Sequence, residues 1–263
     1  MILPNFIILG AAKAGTTAIY HYMSQHPHVG MSRVKETNYF ALEGGPIDFR
    51  GPGDRDSINR FSVNTAEGYQ EQFRHAEGAD AIGEVSPLYL YSEEVPGRLA
   101  RSVPRAKLIA ILRDPAERAY SAFLHLIRDG RETTADFAEG LRLEDSRVAD
   151  RWEHIWHYRR MGLYHDQLRR YFDRFDRDQI RVHTYQDFRS RPAAILADLF
   201  RFIGVDDSFA PDMSIRYNAA AVPAERRPPL DPQVLDRLRE SFRDDVLALQ
   251  DLLGRDLSGW LPR

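Results

Sequence analysis

The residues with the clearest chemical meaning lie near the amino terminus, in Gly10–Thr17 (GAAKAGTT). This segment follows the short apolar run Asn5–Leu9 and leads into a helix candidate, Thr16–Gln25. Glycines at this spacing let successive main-chain N–H groups curl around an anion, and the start of a helix adds partial positive charge. The segment therefore predicts a phosphate-binding loop that carries Lys13 as an internal cation.

The loop differs from the Walker A sequence in the place of its lysine. Walker A has lysine directly after the second glycine, whereas here Thr16 stands there and Lys13 lies within the loop. A magnesium-dependent phosphoryl transferase would also need an aspartate at the end of a buried strand. The strongest buried-strand pattern, Lys107–Leu112, is followed by Arg113, and Asp114 comes only after it. The pattern favours neutralisation of phosphates by protein cations, and no metal site is predicted.

Composition narrows the function further. The chain has 263 residues, 36 basic and 39 acidic, so an overall basic field for nucleic acid is absent. It has no cysteine, which excludes disulfides, thiolate metal ligands and cysteine nucleophiles. Only Lys13, Lys35 and Lys107 are lysines, since arginine supplies the other basic side chains. Lysines at 13 and 35 therefore indicate a chemical requirement at those positions.

The elements that would position these residues alternate along the chain. Apolar runs predict strands over 5–9, 79–85, 107–112 and 179–184. Helical spacing predicts helices over 16–25, 115–128, 164–175, 192–203 and 231–253. The alternation predicts an α/β fold, a parallel, doubly wound sheet within one domain of residues 1–263.

Two segments, 44–62 and 206–230, lack a clear period and are predicted to be functional loops. The apolar run at the amino terminus ends at Gly10 and is too short for a signal sequence. No later apolar run is long enough to span a bilayer. The sequence alone thus predicts a cytoplasmic protein with no membrane span.

At this point a resemblance becomes specific. Gly10–Thr17 resembles the 5′-phosphosulfate loop of sulfotransferases that use 3′-phosphoadenosine 5′-phosphosulfate (PAPS). Leu112–Phe123 (LRDPAERAYSAF) resembles their 3′-phosphate motif, which has arginine at a strand end and serine eight residues later. Because these two motifs occur in this order, the chain is expected to have the sulfotransferase form of the phosphate-binding fold.

Further motifs are similar to those of heparan-sulfate-type sulfotransferases and their bacterial relatives. Lys35–Phe40 (KETNYF) is similar to their K-E-x-x-F-F segment, and Gly83–Pro87 (GEVSP) resembles their E-K-S/T-P turn. The likeness continues through Arg160–Phe172 to the region after Phe202, and so covers most of the chain.

The resemblance implies metal-independent transfer of a sulfuryl group from PAPS to a hydroxyl or amine, with 3′-phosphoadenosine 5′-phosphate (PAP) as product. It implies that Lys13 stabilises the bridging oxygen as the S–O bond breaks, and Glu36 is the candidate general base. The nucleotide would be bound by the two phosphate motifs and a closing basic loop, namely by Lys13, Ala14, Gly15, Thr16, Thr17, Arg113, Ser121, Asn218, Arg226 and Arg227.

The residues predicted to face the acceptor are Lys35, Asn38, Glu84, Trp152 and His154. Asn38 stands where enzymes of this type that sulfate hydroxyls often have histidine, and Val85 stands where many relatives have lysine. Trp152 and His154 belong to a segment rich in aromatic residues that could stack on a sugar or a ring. The acceptor stays open among a carbohydrate, another small molecule and a natural product.

Two other functions fit part of the pattern. A small-molecule kinase of the P-loop type shares the anion loop but should have lysine at position 16 and require magnesium. A non-catalytic PAP-binding module would lose Lys13 or Glu36, and both are present. If Glu36 is not the base, His21, His154 and Glu84 are the next candidates.

Overall fold

The computed structural model describes residues 2–215, 217, 222 and 227–262. Their strands form one parallel sheet in the order β2-β3-β1-β4-β5, with β1 (Phe6–Gly10), β2 (Val29–Met31), β3 (Ala81–Val85), β4 (Lys107–Leu112) and β5 (Ile180–Thr184). The predicted α/β fold with a parallel sheet is therefore confirmed. The edge strand β2 was not predicted, because three residues are too few to show a strand period.

The central strand β1 explains why the sheet forms from these residues. It pairs with β3 on one side and β4 on the other, and Phe6 to Leu9 are all 0% exposed. A strand covered on both faces reads as a continuous apolar run. Gly83 of β3 lies beside Phe6, and a Cβ there would approach the Phe6 ring to 2.2 Å. Glycine is therefore required at position 83 for the aromatic ring to pack.

The strand order shows that the chain crosses the sheet in both directions from its centre. From β1 the chain crosses to β2 at one edge, whereas from β3 it crosses β1 to reach β4 on the other side. Since such crossovers are right-handed, connections made in opposite directions lie on opposite faces, and the sheet is doubly wound. The carboxyl ends of β1 and β4 thus form a topological switch point, where open α/β sheets bind ligands.

The chain divides into two compact units. The first contains the whole sheet and is built from the segment ending at Ile47, Phe61–Arg113 and the segment starting at Arg170. The second contains Asp48–Arg60, Asp114–Arg169 and the C-terminal segment, and consists of helices and loops.

The α-helices of the described chain are α1 (Thr16–Met23), α2 (Tyr39–Leu42), α3 (Ile58–Phe61), α4 (Ala66–Glu71), α5 (Leu88–Tyr91), α6 (Val95–Ser102), α7 (Pro115–Arg128), α8 (Phe137–Arg142), α9 (Glu144–Ala149), α10 (Tyr164–Phe172), α11 (Tyr185–Ser190), α12 (Pro192–Ile203), α13 (Pro232–Ser241) and α14 (Arg243–Leu253). None of these helices has the length and apolar character needed to cross a bilayer.

Helix α7 follows the sequence prediction closely. Asp114 caps it by accepting from the N–H groups of Ala116 and Glu117, and Pro115 occupies the first helical position. Its inner face is completely buried and consists of Ala116, Ala119, Ala122, Phe123 and Leu126. The start and the buried face of this helix are therefore both encoded locally.

Two predictions need correction. The single helix expected over 231–253 is two helices, because Phe242 leaves the helical path and buries its ring against Gly162. Segment 44–62, predicted as a loop, contains α3 and a turn of 3-10 helix around Asp54. The Asp54 carboxylate is fully buried, accepts from the Gly51 N–H at 2.7 Å and pairs with Arg131. Through these contacts Asp54 orders a segment whose composition suggested no regular structure.

Candidate functional site

The predicted phosphate loop joins β1 to α1, and its backbone takes the shape that an anion site needs. Gly15 is the N-cap of α1 with φ of 88°, and a Cβ there would meet the Tyr185 ring at 3.1 Å. Because Gly15 has no side chain, it leaves the first-turn N–H groups of the helix uncapped from that position. Lys13 also lies in the left-handed region, with φ of 66°. The loop therefore fits an anion bound at the start of α1.

Arg113 joins this loop from the neighbouring strand. It follows the last residue of β4, and its guanidinium donates to the main-chain oxygen of Lys13 at 3.3 Å. The same guanidinium lies over the Tyr185 ring, 4.9 Å from its centre. Tyr185 begins α11 directly after β5, the strand that pairs with β4. Three consecutive strand ends thus bring a lysine, an arginine and an aromatic ring together.

A second pair of charges stands in the same unit, after β2. Lys35 and Glu36 form an ion pair, with 18% of the lysine side chain and 46% of the glutamate side chain exposed. Glu36 has φ of 67°, and its N–H donates to the Val85 oxygen at 2.8 Å. The carboxylate that the sequence predicts as a base is therefore accessible, and the main chain of Glu36 is bonded to the end of β3.

His21 is a titratable group close enough to Lys35 to be influenced by its charge. Burial and the Lys35 ammonium lower the pKa of His21, so its imidazole favours the neutral form. The ring stacks on Tyr217, with centres 4.0 Å apart and planes inclined by 15°. These contacts make His21 a neutral aromatic neighbour of the Lys35–Glu36 pair.

Glu84 is not where an acceptor could touch it. Its side chain is 0% exposed, and its two oxygens accept from four hydroxyls at 2.5–3.0 Å, those of Thr37, Tyr69, Ser86 and Tyr89. Burial raises the pKa of Glu84, while the four donors act in the opposite direction. The expected direct contact of Glu84 with the acceptor does not fit this arrangement, because every face of the carboxylate is occupied.

Asn38 departs from expectation in the same way. It is 5% exposed, has φ of 54°, and its side-chain amide donates to the Ser62 hydroxyl at 3.0 Å. Its N–H donates to the Ser86 hydroxyl at 3.1 Å. Asn38 therefore fixes the backbone at the start of α2, and an acceptor contact through its side chain is not what this geometry suggests.

Ser121, Trp152, His154 and Arg227 lie in the second unit, called here the helical unit. Ser121 is half-buried on α7. The half-buried Trp152 packs against Trp156 at 4.7 Å, with the Arg147 guanidinium 5.2 Å from its ring, and His154 contacts Phe49. Arg227 is exposed, whereas Asn218 and Arg226 lie outside the described residues. Trp152 and His154 thus each pack against another aromatic ring, Trp156 and Phe49 respectively.

Asp114, where a kinase could place a metal ligand, is already engaged. Besides capping α7, its carboxylate pairs with Arg239 at 3.1 Å. Burial raises the pKa of Asp114, against the effect of the N–H donors and of Arg239. Among the described residues, no three His, Asp or Glu side chains form a metal-ligating group. Asp114 therefore acts as a helix cap with an arginine partner.

Sequence reasoning missed several residues of this site. Tyr185 stacks on Arg113 and packs against Gly15, and only its place after a strand could have indicated it. Thr37, Tyr69 and Tyr89 surround Glu84 from three separate segments, and nothing in their spacing links them.

Comparisons with known proteins agree with this geometry. Residues 4–210 match the model of a family described as the sulfotransferase family. The human bifunctional heparan sulfate N-deacetylase/N-sulfotransferase 2 is 27% identical over 98% of this chain, which corresponds to 31% of that protein. The chain therefore spans about a third of the length of the curated relatives it matches.

Solved structures give the same match. A sulfotransferase from Alicyclobacillus acidocaldarius is 36% identical, with a TM-score of 0.89 and 99% of both chains covered. A sulfotransferase domain from the curacin biosynthetic pathway has a TM-score of 0.58 at 13% identity, which is a likeness of fold alone.

Proposed function

This chain belongs to the sulfotransferase family, and from that premise we propose that it transfers the sulfuryl group of PAPS to a hydroxyl or amine. The observation that carries the proposal is the contact of Arg113 with the Lys13 main chain in the β1–α1 loop. This contact joins the two motifs that would bind the 5′-phosphosulfate and the 3′-phosphate. Family membership supports sulfuryl transfer, and the donor set supports a nucleotide with two separate anionic groups.

The residues of the loop suit the 5′ end of such a nucleotide. Ala14, Gly15, Thr16 and Thr17 would offer main-chain N–H groups and two hydroxyls to the phosphate. The Lys13 ammonium would donate to the oxygen between phosphorus and sulfur, where negative charge grows as the S–O bond breaks. A cation placed there favours the transition state over the bound substrate.

Glu36 is proposed to take the proton of the acceptor. As the acceptor oxygen or nitrogen forms its bond to sulfur, that proton passes to the Glu36 carboxylate, and the bond from sulfur to the bridging oxygen breaks. PAP leaves with the electron pair of the broken bond, next to the Lys13 ammonium. Lys35, paired with Glu36, would orient the carboxylate for this step.

The other predicted contacts remain part of the proposal. Arg113 and Ser121 would bind the 3′-phosphate, and Asn218, Arg226 and Arg227 would cover the nucleotide. Trp152 and His154 would contact the acceptor by stacking. We also propose that residues 1–263 work as one sulfotransferase domain, since the match to the bacterial sulfotransferase covers 99% of both chains.

We propose a carbohydrate as the acceptor. Support comes from the curated relatives, whose names specify N-sulfation of heparan sulfate. The names of these relatives favour an amine as the acceptor group. Hydroxyl acceptors belong to the same proposal, because Asn38, the residue at the position where hydroxyl-sulfating enzymes often have histidine, is buried and does not distinguish the two groups.

Mass spectrometry of the purified protein with PAPS tests the function. The panel contains N-desulfated heparan sulfate fragments, fully N-acetylated fragments and a simple phenol. We expect an added sulfuryl group on a sugar fragment, in the presence of EDTA as well as in its absence. Phosphoryl transfer from ATP that requires magnesium would instead support the kinase, and PAP binding without any transfer would support the binding module.

A further inference from the structure

Glu84 is a buried carboxylate whose hydrogen-bond partners are all hydroxyl groups. Its carboxylate is enclosed by the hydroxyls of Thr37, Tyr69, Ser86 and Tyr89, and among the described residues no lysine, arginine or histidine pairs with it. A buried carboxylate without a cationic partner is costly unless its lone pairs are satisfied. Here four hydroxyl donors match the lone-pair sites of the two oxygens.

One of these donors, Thr37, is the residue next to the proposed base Glu36 in the sequence. Thr37 is 0% exposed and is bonded to Glu84 at 2.5 Å, and Glu36 precedes it in the chain. A second donor, Ser86, accepts from the N–H of Asn38 at 3.1 Å, on the other side of Thr37. The carboxylate therefore holds the two residues that follow Glu36, Thr37 directly and Asn38 through the Ser86 hydroxyl.

The backbone of residues 36–38 has a conformation that depends on the contacts around it. Glu36 and Asn38 have φ of 67° and 54°, in the left-handed region that non-glycine residues rarely adopt. Such conformations persist only where the surrounding contacts determine them. The contacts here are the Glu36 N–H to the Val85 oxygen, the Val63 N–H to the Thr37 oxygen, and the Thr37 hydroxyl to Glu84.

We infer that Glu84 is a positioning residue, which fixes the backbone of residues 36–38 through Thr37 and Ser86 and thereby sets the direction of the Glu36 side chain. This inference rests on the proposed function for the meaning of Glu36, but the geometry it concerns can be measured without any acceptor. A small displacement of a catalytic group lowers turnover by up to about 10²-fold.

Glu84→Gln tests the inference, because it keeps the shape and places an amide where the carboxylate faced donors only. We expect hydrogen exchange in peptides covering 33–40 to become about tenfold faster or more. With the acceptor found by the panel, kcat should fall by about 10–10²-fold. The KM for PAPS and the affinity for PAP should stay within about twofold.

Thr37 provides an independent pair of variants if Glu84→Gln folds poorly. Thr37→Val removes the hydroxyl that bonds Glu84 and keeps the side-chain shape, so it should reproduce the effect on exchange and kcat. Thr37→Ser keeps the hydroxyl and should bring both quantities back toward the parent values. The matched control is Glu144→Gln, a carboxylate 2% exposed that accepts from the N–H groups of Arg159 and Arg160 in the helical unit.

The outcomes separate the two proposals. Unchanged exchange of 33–40 in a folded Glu84→Gln variant overturns the positioning role, as does a loss of kcat matched by an equal loss of PAP affinity. The same acceleration in Glu144→Gln would show general destabilisation and would also overturn it. If the parent protein binds PAP but sulfates no acceptor, the proposed function fails, while the exchange measurement still decides the role of Glu84.

Discussion

The guanidinium of Arg113 donates to the main-chain oxygen of Lys13 at 3.3 Å, so the residue after β4 holds the tip of the loop after β1. Lys13 is also the only lysine of the loop, and its backbone is left-handed. The position of the Lys13 backbone therefore depends on Arg113, so the two residues are distinguished by different measurements, turnover for Lys13 and nucleotide preference for Arg113.

Lys13→Ala should lower turnover by about 10²–10³-fold, because the ammonium would act on charge that develops in the transition state. PAP affinity should fall much less, since the loop N–H groups remain. Steady-state kinetics and calorimetry give the two quantities. Lys107→Ala is the matched control, a lysine at the start of β4 that contacts the Phe202 ring; near-normal turnover in Lys13→Ala would remove Lys13 from the mechanism.

Arg113 should make the protein prefer PAP to AMP. One charge-assisted bond to the 3′-phosphate contributes about 1.5–3 kcal/mol, which corresponds to a preference of about 10–10²-fold. Arg113→Ala should abolish most of this preference, as measured by calorimetry with both nucleotides. Arg181→Ala, an arginine on β5 that lies over the Phe202 ring, should leave it intact. Equal affinity of the parent protein for PAP and AMP would contradict the assignment.

Glu36→Gln should lower the rate of single-turnover transfer by about 10²–10⁴-fold, because it removes the proton acceptor and keeps the size of the side chain. Nucleotide binding should persist, which calorimetry with PAP checks. An unchanged rate would exclude Glu36 as the base. His21 would then come next, because it lies close enough to Lys35 for the ammonium to influence its titration.

Acid should destabilise the protein through His157. Burial, followed by the charges of His154, Arg160 and Arg118, lowers the pKa of His157 from 6.5 to about 3. The neutral ring is therefore favoured in the folded state, and its contribution to stability is present above pH 6.5 and is lost as the pH falls toward 3.

Between pH 7 and pH 5 this single group should cost about 2 kcal/mol of the free energy of unfolding. Urea denaturation at both pH values measures it, and His157→Gln should reduce the difference by about that amount. Asp245 acts in the opposite direction, because burial raises its pKa to about 6 and its ionisation disfavours the folded state as the pH rises. A variant with the same pH dependence as the parent protein would remove His157 from this account.

Much of the fold could be predicted because its information is local. The apolar run of β4, the glycines before α1 and the Asp114-Pro115 start of α7 each specify their element within a few residues. The contact of Arg113 with the loop also follows, since adjacent parallel strands end at one edge of the sheet. The location of the protein in the cell stays a prediction.

The parts that failed depend on contacts between distant residues. The burial of Glu84 needs Tyr69 and Tyr89, and no local pattern announces that their hydroxyls will meet one carboxylate. Glu84 was expected to face the acceptor because the GEVSP turn resembles a segment of heparan-sulfate-type enzymes, and full burial of a glutamate is rare. The break at Phe242 is similar, because its cause is a close approach to Gly162, eighty residues earlier in the chain.

Because the backbone at position 36 is left-handed, thermal stability and catalytic activity favour different residues there. Holding a non-glycine residue in this region costs about 1–2 kcal/mol. Glycine would remove that cost and lose only about 0.4–1 kcal/mol, through the greater freedom of the unfolded chain. Selection for heat tolerance alone should therefore favour glycine at position 36. That substitution deletes the proposed base, so lineages that keep the glutamate would be those in which turnover is what selection maintains.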